Sequence, residues 1–256
     1  MVNPEEAVRS VDREGEPPWY EVSDDEMGLG ASLGNGHAWV TTGTDGRILS
    51  LFSTDVGQTV AGPLLVRYAT GESHTIAHRL QSGRQRLRVP LEPTRPGSFT
   101  IHPAYQRHSF RLPGGIEVEE TVFVPLAEHE HYADECAALY LIRMTNTNQH
   151  PASLHAYAFA RLQGRRLSGG VEAVYDSERH AIFAAEPDQP QWVRVLATDG
   201  EPSGHILTPD VASTYDAYQI PELKGPDKAA GDLMCGLEVP VDMQAGESRR
   251  LTFLLT

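Results

Sequence analysis

The chain has 256 residues, with 21 Lys and Arg against 35 Asp and Glu, which gives a formal net charge of −14. This excess of acid argues against nucleic acid or an anionic membrane as a partner. Hydrophobic residues make up 40% of the chain and charged residues 22%, which excludes a wholly disordered or collagen-like protein. The 23 Gly and 18 Pro separate short apolar runs, as is typical of a turn-rich β protein.

The N-terminal segment is the most acidic part of the chain. Residues 1–26 carry nine acids against two bases and supply half of the net charge. We expect residues 1–29 to form an acidic strap or tail, with Trp19 and Tyr20 attaching it, and residues 30–256 to form one domain. The N terminus lacks the pattern of a signal peptide, and no apolar run reaches the ~20 residues of a membrane helix. The sequence therefore predicts a cytoplasmic protein.

The two cysteines, Cys136 and Cys235, lie far apart and have no metal-binding or redox spacing around them. A chain of this size builds a core without a disulfide, so we expect two buried, reduced thiols.

Short apolar runs bounded by turn residues begin near residue 36. Asp45-Gly46 predicts a hairpin turn, and Pro113-Gly114-Gly115 predicts another between strands 105–112 and 116–124. Residues 199–232 predict a long irregular stretch. Other predicted strands lie near 62–69, 74–80, 84–91, 97–102, 137–145, 152–161, 171–176, 180–186, 191–198, 233–241 and 248–256. About fifteen strands without a helical period or a repeat predict an all-β fold, a large two-sheet antiparallel β-sandwich.

Strand 116–124 alternates with period two, which puts Glu120 on its otherwise apolar face. A buried carboxylate needs a partner, and an arginine is the first candidate, with a catalytic or sugar-binding role as the alternative. On the opposite face, Arg107 and Arg111 are expected to form cross-strand ion pairs with the strand's other acids. Trp39 and Trp192 lie within strand runs and are expected in the core.

No constellation of residues predicts a catalytic or cofactor site. The glycines of residues 28–34 have the wrong spacing for a dinucleotide loop, and no serine lies in a nucleophile elbow. His129 and His131, with Asp134 and Glu135 nearby, lack the spacing that puts two imidazoles on one helix face. We expect a solvated loop there, with no metal and no cofactor.

Three groups of residues resemble the N-terminal β-supersandwich domain of glycoside hydrolases and phosphorylases, the relatives of cellobiose phosphorylase, cyclic-glucan and glucoamylase-like enzymes. They are 34–40 with 45–48, 122–125 with 138–147, and 231–237 with 241–248 and 251–255. The resemblance implies a galactose mutarotase-like supersandwich that precedes a catalytic (α/α)6 barrel. It also implies that this chain is a non-catalytic domain of a carbohydrate-active enzyme, with the barrel and an oligosaccharide or glucan as partners.

The alternative is a free-standing carbohydrate-binding or mutarotase-like, sugar-epimerising sandwich. For either function the best surface candidates are His102, Tyr105 and Arg107 in one hairpin and Tyr215 and Tyr218 in the irregular stretch. Aromatic rings and polar donors on loops suit a sugar or a partner domain. The simpler interpretation is that these loops only cap the sandwich.

Overall fold

In a computed structural model, the described residues are 9–11, 19–23, 30, 32–43, 45–77, 84–95, 97–125, 136–162, 170–209 and 220–256. This part of the chain forms twenty-one strands and no helix, and within it no helix is long and apolar enough to cross a membrane. The strands are β1 Arg9–Val11, β2 Trp19–Ser23, β3 Ser32–Gly34, β4 Ala38–Thr42, β5 Ile48–Ser53, β6 Gln58–Ala61, β7 Leu64–Ala77, β8 Arg84–Pro90, β9 Ser98–His102, β10 Tyr105–Leu112, β11 Ile116–Phe123, β12 Ala138–Asn146, β13 Ala152–Arg161, β14 Val171–Asp176, β15 Ala181–Glu186, β16 Gln189–Thr198, β17 Gly204–Thr208, β18 Ile220–Pro221, β19 Lys228–Gly231, β20 Met234–Met243 and β21 Ser248–Leu255.

These strands form two large antiparallel sheets, which confirms the predicted all-β sandwich. The eleven-stranded sheet has the order β1-β2-β9-β10-β11-β12-β21-β16-β15-β14-β19. The ten-stranded sheet follows β17-β20-β13-β7-β5-β4-β3, with β6 paired to β5 and with β8 joining β7 to β18. Both predicted hairpins are present, because β4 pairs with β5 and β10 pairs with β11 across the two glycine turns.

The core lies between the two sheets and follows from the alternation along each strand. In β11 and β12 every second side chain is buried, and these residues face the inward side chains of the other sheet. Its largest fully buried members include Tyr140, Phe253, Ile48, Leu51 and Leu64. Both predicted thiols are free, with Cys235 buried and Cys136 half-buried.

The ten-stranded sheet is covered on its outer face as well. β13 is buried from Leu154 to Ala160 without alternation, so residues on both of its faces are shielded from water. The covering residues are Ile220 and Leu223, which form a second apolar cluster with Ala69, Tyr157, Phe159 and Met234. We call residues 220–224 the strap.

Two predictions made from the pattern of apolar runs along the sequence are wrong. Residues 199–232 include the strands β17, β18 and β19, which are short, edge-lying and hence weak in sequence signal. Trp39 and Trp192 are 55% and 44% exposed rather than buried. Trp39 lies on the outward face of β4, and Trp192 lies in the first half of β16, where the register with β15 shifts. The predicted domain boundary near residue 30 stays a prediction, although β2 pairs with β9 at the edge of the eleven-stranded sheet.

Gly46 closes the β4–β5 hairpin with φ of +83° and packs against buried polar side chains. A Cβ at this position would lie 2.5 Å from Glu120 Oε2 and 3.0 Å from His108 Nδ1. We expect Gly46→Ala to lower the free energy of unfolding by about 3 kcal/mol, from left-handed strain plus overpacking. Gly114→Ala is the matched control, because Gly114 has φ of +79° and open space around it. Urea unfolding should show a loss of only about 1–2 kcal/mol there, and equal losses would contradict the packing argument.

Candidate functional site

The β9–β10 hairpin brings together three of the predicted surface residues on the outer face of the eleven-stranded sheet. His102 and Tyr105 are register partners, and their rings stack with centroids 4.4 Å apart. The Arg107 guanidinium lies 5.1 Å from the Tyr105 ring centroid, within cation–π range. Tyr215 and Tyr218 lie outside the described residues, as do His129 and His131. The role of all these side chains stays a prediction.

The same outer face carries an apolar surface that we call the outer ladder. Cross-strand register places its side chains in two adjoining rows, and all of them are at least partly exposed. One row runs over β11, β12, β21 and β16, and the other over β16, β15 and β14. The members are Phe123, Leu139, Leu254 and Ala197 in the first row and Val195, Phe183 and Val174 in the second.

Sequence reasoning missed the outer ladder. Its signal is in residues 137–145, where Leu139 and Leu141 alternate with the buried Tyr140 and Ile142. Such a strand is apolar on both faces, and in an antiparallel sheet one face is usually polar. The apolar outer positions therefore indicate a surface that another molecule or domain covers.

On the outer face of the eleven-stranded sheet, the end away from the outer ladder is charged. Arg111 pairs with Glu117, its register partner, and Arg107 Nε lies 3.6 Å from Glu119 Oε1. The predicted cross-strand ion pairs are thus confirmed. Exposed pairs of this kind contribute at most about 1 kcal/mol each to the free energy of unfolding. Their main effect is to make this half of the sheet face polar.

Glu120 is buried between the sheets as its position predicted, with 3% of its surface exposed. The prediction of an arginine partner for Glu120 is wrong. Glu120 Oε1 accepts a hydrogen bond of 2.7 Å from the Tyr68 hydroxyl, and Oε2 lies 3.3 Å from His108 Nδ1. The pKa values of Tyr68 and Tyr140 are both raised well above the ordinary value for tyrosine. Burial is the largest cause, and the nearby Glu120 carboxylate is the next. Both hydroxyls therefore stay protonated and serve as donors.

A second buried carboxylate lies under the strap, on the outer face of the ten-stranded sheet. Glu238 is 3.1 Å from Arg88 Nε and 2.8 Å from His155 Nδ1, and it accepts a 2.8 Å hydrogen bond from the Leu223 backbone. Arg88 also reaches Glu222 of the strap at 3.3 Å. Burial opposes the charge on Glu238, but these donors more than compensate and hold its pKa below the ordinary value.

Neither glutamate–histidine contact has the geometry of a sugar epimerase. Mutarotation of an aldose removes a proton from the anomeric hydroxyl and adds one to the ring oxygen, so the base and the acid must each reach a substrate oxygen. In both clusters the carboxylate and the imidazole touch each other directly, with no substrate-sized gap between them. Among the described residues no group of three or more His, Cys, Asp or Glu is placed to hold a metal.

Comparison with solved structures agrees with the fold. A kojibiose phosphorylase from the human microbiome matches 98% of this chain over 33% of its own length, with 9% identity and a TM-score of 0.48. A bacterial glucoamylase solved with acarbose matches 90% of this chain over 31% of its own, with 11% identity and a TM-score of 0.50. A galactose mutarotase-like protein from Lactobacillus casei matches 89% of this chain over 99% of its own, with 9% identity and a TM-score of 0.46.

The chain is thus similar in fold both to the N-terminal supersandwich domains of glycoside hydrolases and phosphorylases and to galactose mutarotase-like proteins. This confirms the resemblance seen in the sequence. The chain spans about a third of the phosphorylase and the glucoamylase, and nearly all of the mutarotase-like protein. No protein-family model matches it, and no curated protein matches it in sequence.

We expect Glu238→Gln to reduce the free energy of unfolding by about 3–5 kcal/mol at neutral pH, because it leaves a buried Arg88 and His155 without their anion. The lowered pKa of Glu238 means that its contribution is complete above about pH 4.5 and is lost as the pH falls through the folded value. Urea unfolding between pH 7 and pH 3 should therefore show the variant and the wild type converging in acid. The control Glu117→Gln breaks an exposed pair and should cost no more than about 1 kcal/mol.

Proposed function

We propose that this chain is a non-catalytic supersandwich domain of a carbohydrate-active enzyme, and that it packs against an (α/α)6 catalytic barrel. The observation that carries the proposal is the outer ladder, an apolar surface across six strands of a sheet face. Contiguous apolar surface of this kind marks a site of interaction in a folded protein.

The surroundings of the outer ladder also suit a domain interface. Val174 and Val193 are 39% and 50% exposed at its edge, and the Tyr105–Arg107 corner lies on the same sheet face. Tyr and Arg are enriched in the cores of interfaces, and charged pairs such as Arg111–Glu117 are typical of a polar rim. The solved phosphorylase and glucoamylase support the proposal, because in each the matched fold is about a third of a longer chain.

Co-expression with the (α/α)6 barrel encoded in the same or an adjacent reading frame tests this proposal. We expect a stable complex by size-exclusion chromatography and a loss of at least tenfold in affinity for Leu139→Glu or Leu254→Glu, because each puts a charge into the outer ladder. Arg143→Glu changes an exposed residue of the charged half of the face and should leave the complex intact. Thermal unfolding checks that each variant is folded. An undiminished complex with Leu139→Glu would overturn the proposal.

The alternative function is that of a free-standing carbohydrate-binding or mutarotase-like, sugar-epimerising sandwich, since the chain is also similar in fold to galactose mutarotase-like proteins. Because both glutamate–histidine pairs are in direct contact, we expect the purified chain neither to accelerate the mutarotation of glucose or galactose in a polarimeter nor to hydrolyse or phosphorolyse aryl glucosides. Turnover that is abolished by Glu120→Gln or by Glu238→Gln would replace the docking proposal with this enzymatic one.

A further inference from the structure

A notch lies at one end of the sandwich, where β16 ends, β17 begins and the chain crosses from one sheet to the other. Residues 199–203 make this crossing, and the turn of residues 244–247 joins β20 to β21 at the far end of the notch. The lining comes from residues 200–203, from residues 239–242 of β20 and from residues 249–251 of β21. Its volume is about 490 Å³, which is within the ~300–1000 Å³ of pockets that hold a ligand.

One wall of the notch is an unpaired stretch of strand edge. β16 pairs with β21 only as far as Thr198 and Phe253. Beyond them Asp199 donates its N–H to Thr252 O at 3.2 Å, and its carboxylate accepts from Thr252 N at 2.7 Å. Residues two apart in a strand direct their backbone groups to the same side. The N–H and C=O of Arg250 therefore point into the space beyond the end of β16, and among the described residues no backbone group pairs with them there.

The other wall is protected against the addition of a strand. In β20, Glu238 O accepts a hydrogen bond of 2.8 Å from Ser203 N. By the same alternation, Pro240 is the next residue of β20 whose backbone faces the notch. Proline has no N–H to donate, and a proline at a sheet edge is one of the ways in which proteins block pairing there. A strand that entered the notch would therefore pair with β21.

The charges on the β21 side favour an acidic occupant. Arg250 and its register partner Arg143 are both exposed, and like charges directly opposite each other in a sheet are destabilising. In the described part of the chain neither of these two guanidinium groups forms an ion pair. The acids in the lining of the notch are Glu201 in the crossing and Asp242 in β20, so neither belongs to β21.

A second copy of this chain would be a poor occupant. Antiparallel pairing of two such edges would bring Arg249 and Arg250 of both copies together, which like-charge repulsion opposes. The free edge, residues 248–250, is about 10 Å long at ~3.4 Å per residue. It therefore suits a short extended segment that carries negative charge.

We propose that the notch binds an extended acidic segment of a partner polypeptide, which adds to the edge of β21 as one more strand. In an antiparallel pair the residue opposite Arg250 exchanges two backbone hydrogen bonds with it, and the two side chains lie on the same face. An Asp or Glu at that position meets the Arg250 guanidinium. The residues before and after it point to the apolar side of the notch, where Val239 and Leu251 lie, and are expected to be apolar. The site is separate from the outer ladder and does not require a barrel.

Three synthetic peptides, each acetylated and amidated, test the proposal. The first is Thr-Val-Glu-Val-Thr, and the second has Lys in place of Glu. The third has N-methyl-Glu, which keeps the charge but removes the N–H that Arg250 O would accept. Titration into the isotope-labelled chain, followed by NMR, should give saturable shifts of the Arg250 and Leu251 amides with the first peptide. We expect the Lys peptide to bind at least fivefold more weakly and the methylated peptide at least tenfold more weakly.

A charge exchange supplies the decisive comparison. Arg250→Glu should reverse the preference between the Glu and Lys peptides, because it restores an opposite-charge pair with the latter. Arg95→Glu is the matched control, since Arg95 is also exposed but lies outside the notch, and the preference should stay as in the wild type. Thermal unfolding checks that both variants are folded.

Four results would overturn the proposal. They are the absence of saturable binding, equal affinities for the methylated and unmethylated peptides, an unchanged preference in Arg250→Glu, and a dimer of the chain alone that Arg250→Glu abolishes. The last result would assign the notch to a second copy of this chain. None of them bears on the docking proposal, which is tested by complex formation with the barrel.

Discussion

The fold depends on burying one face of each sheet against the other. Hydrophobic burial contributes roughly 25 cal/mol per Å², and a chain made of strands gains it only when every second side chain points inward. The register of β11, β12 and β21 satisfies this condition across the middle of the eleven-stranded sheet. A slip of one residue in any of them would expose the inward row and bury the Arg and Glu of the outer face.

This constraint explains why the sequence was informative about the fold. Alternation in residues 116–124 identified both the strand and the inward position of Glu120, and the glycine turns identified the hairpins. Prediction failed where alternation carried no information. Trp39 is an apolar residue at an outward position, Trp192 lies where the register of β15 and β16 shifts, and β17 to β19 are too short to show a period. The partners of Glu120 come from three different strands, and no local pattern specifies which residues a long-range pairing brings together.

Two of the buried glutamates, Glu120 and Glu238, are tolerated for different reasons. Glu120 lies between the sheets and takes its hydrogen bonds from tyrosine and histidine side chains. Glu238 is held by Arg88, His155 and a backbone amide of the strap. Breaking a buried charge pair costs far more than the pair contributes when formed. Glu238 therefore acts chiefly to fix where the strap crosses the sheet.

The two outer faces of the sandwich consequently differ. The strap closes part of the outer face of the ten-stranded sheet, with Ile220 and Leu223 burying Tyr157 and Phe159 beneath it. On the outer face of the eleven-stranded sheet, the apolar side chains of the outer ladder remain partly exposed. The chain thus covers the apolar outer face of one sheet with its own strap and leaves the apolar outer face of the other sheet accessible. An accessible apolar face of this kind suits contact with a partner. We therefore propose that this accessible face, rather than the site around Glu120 or Glu238, is the surface through which the protein acts.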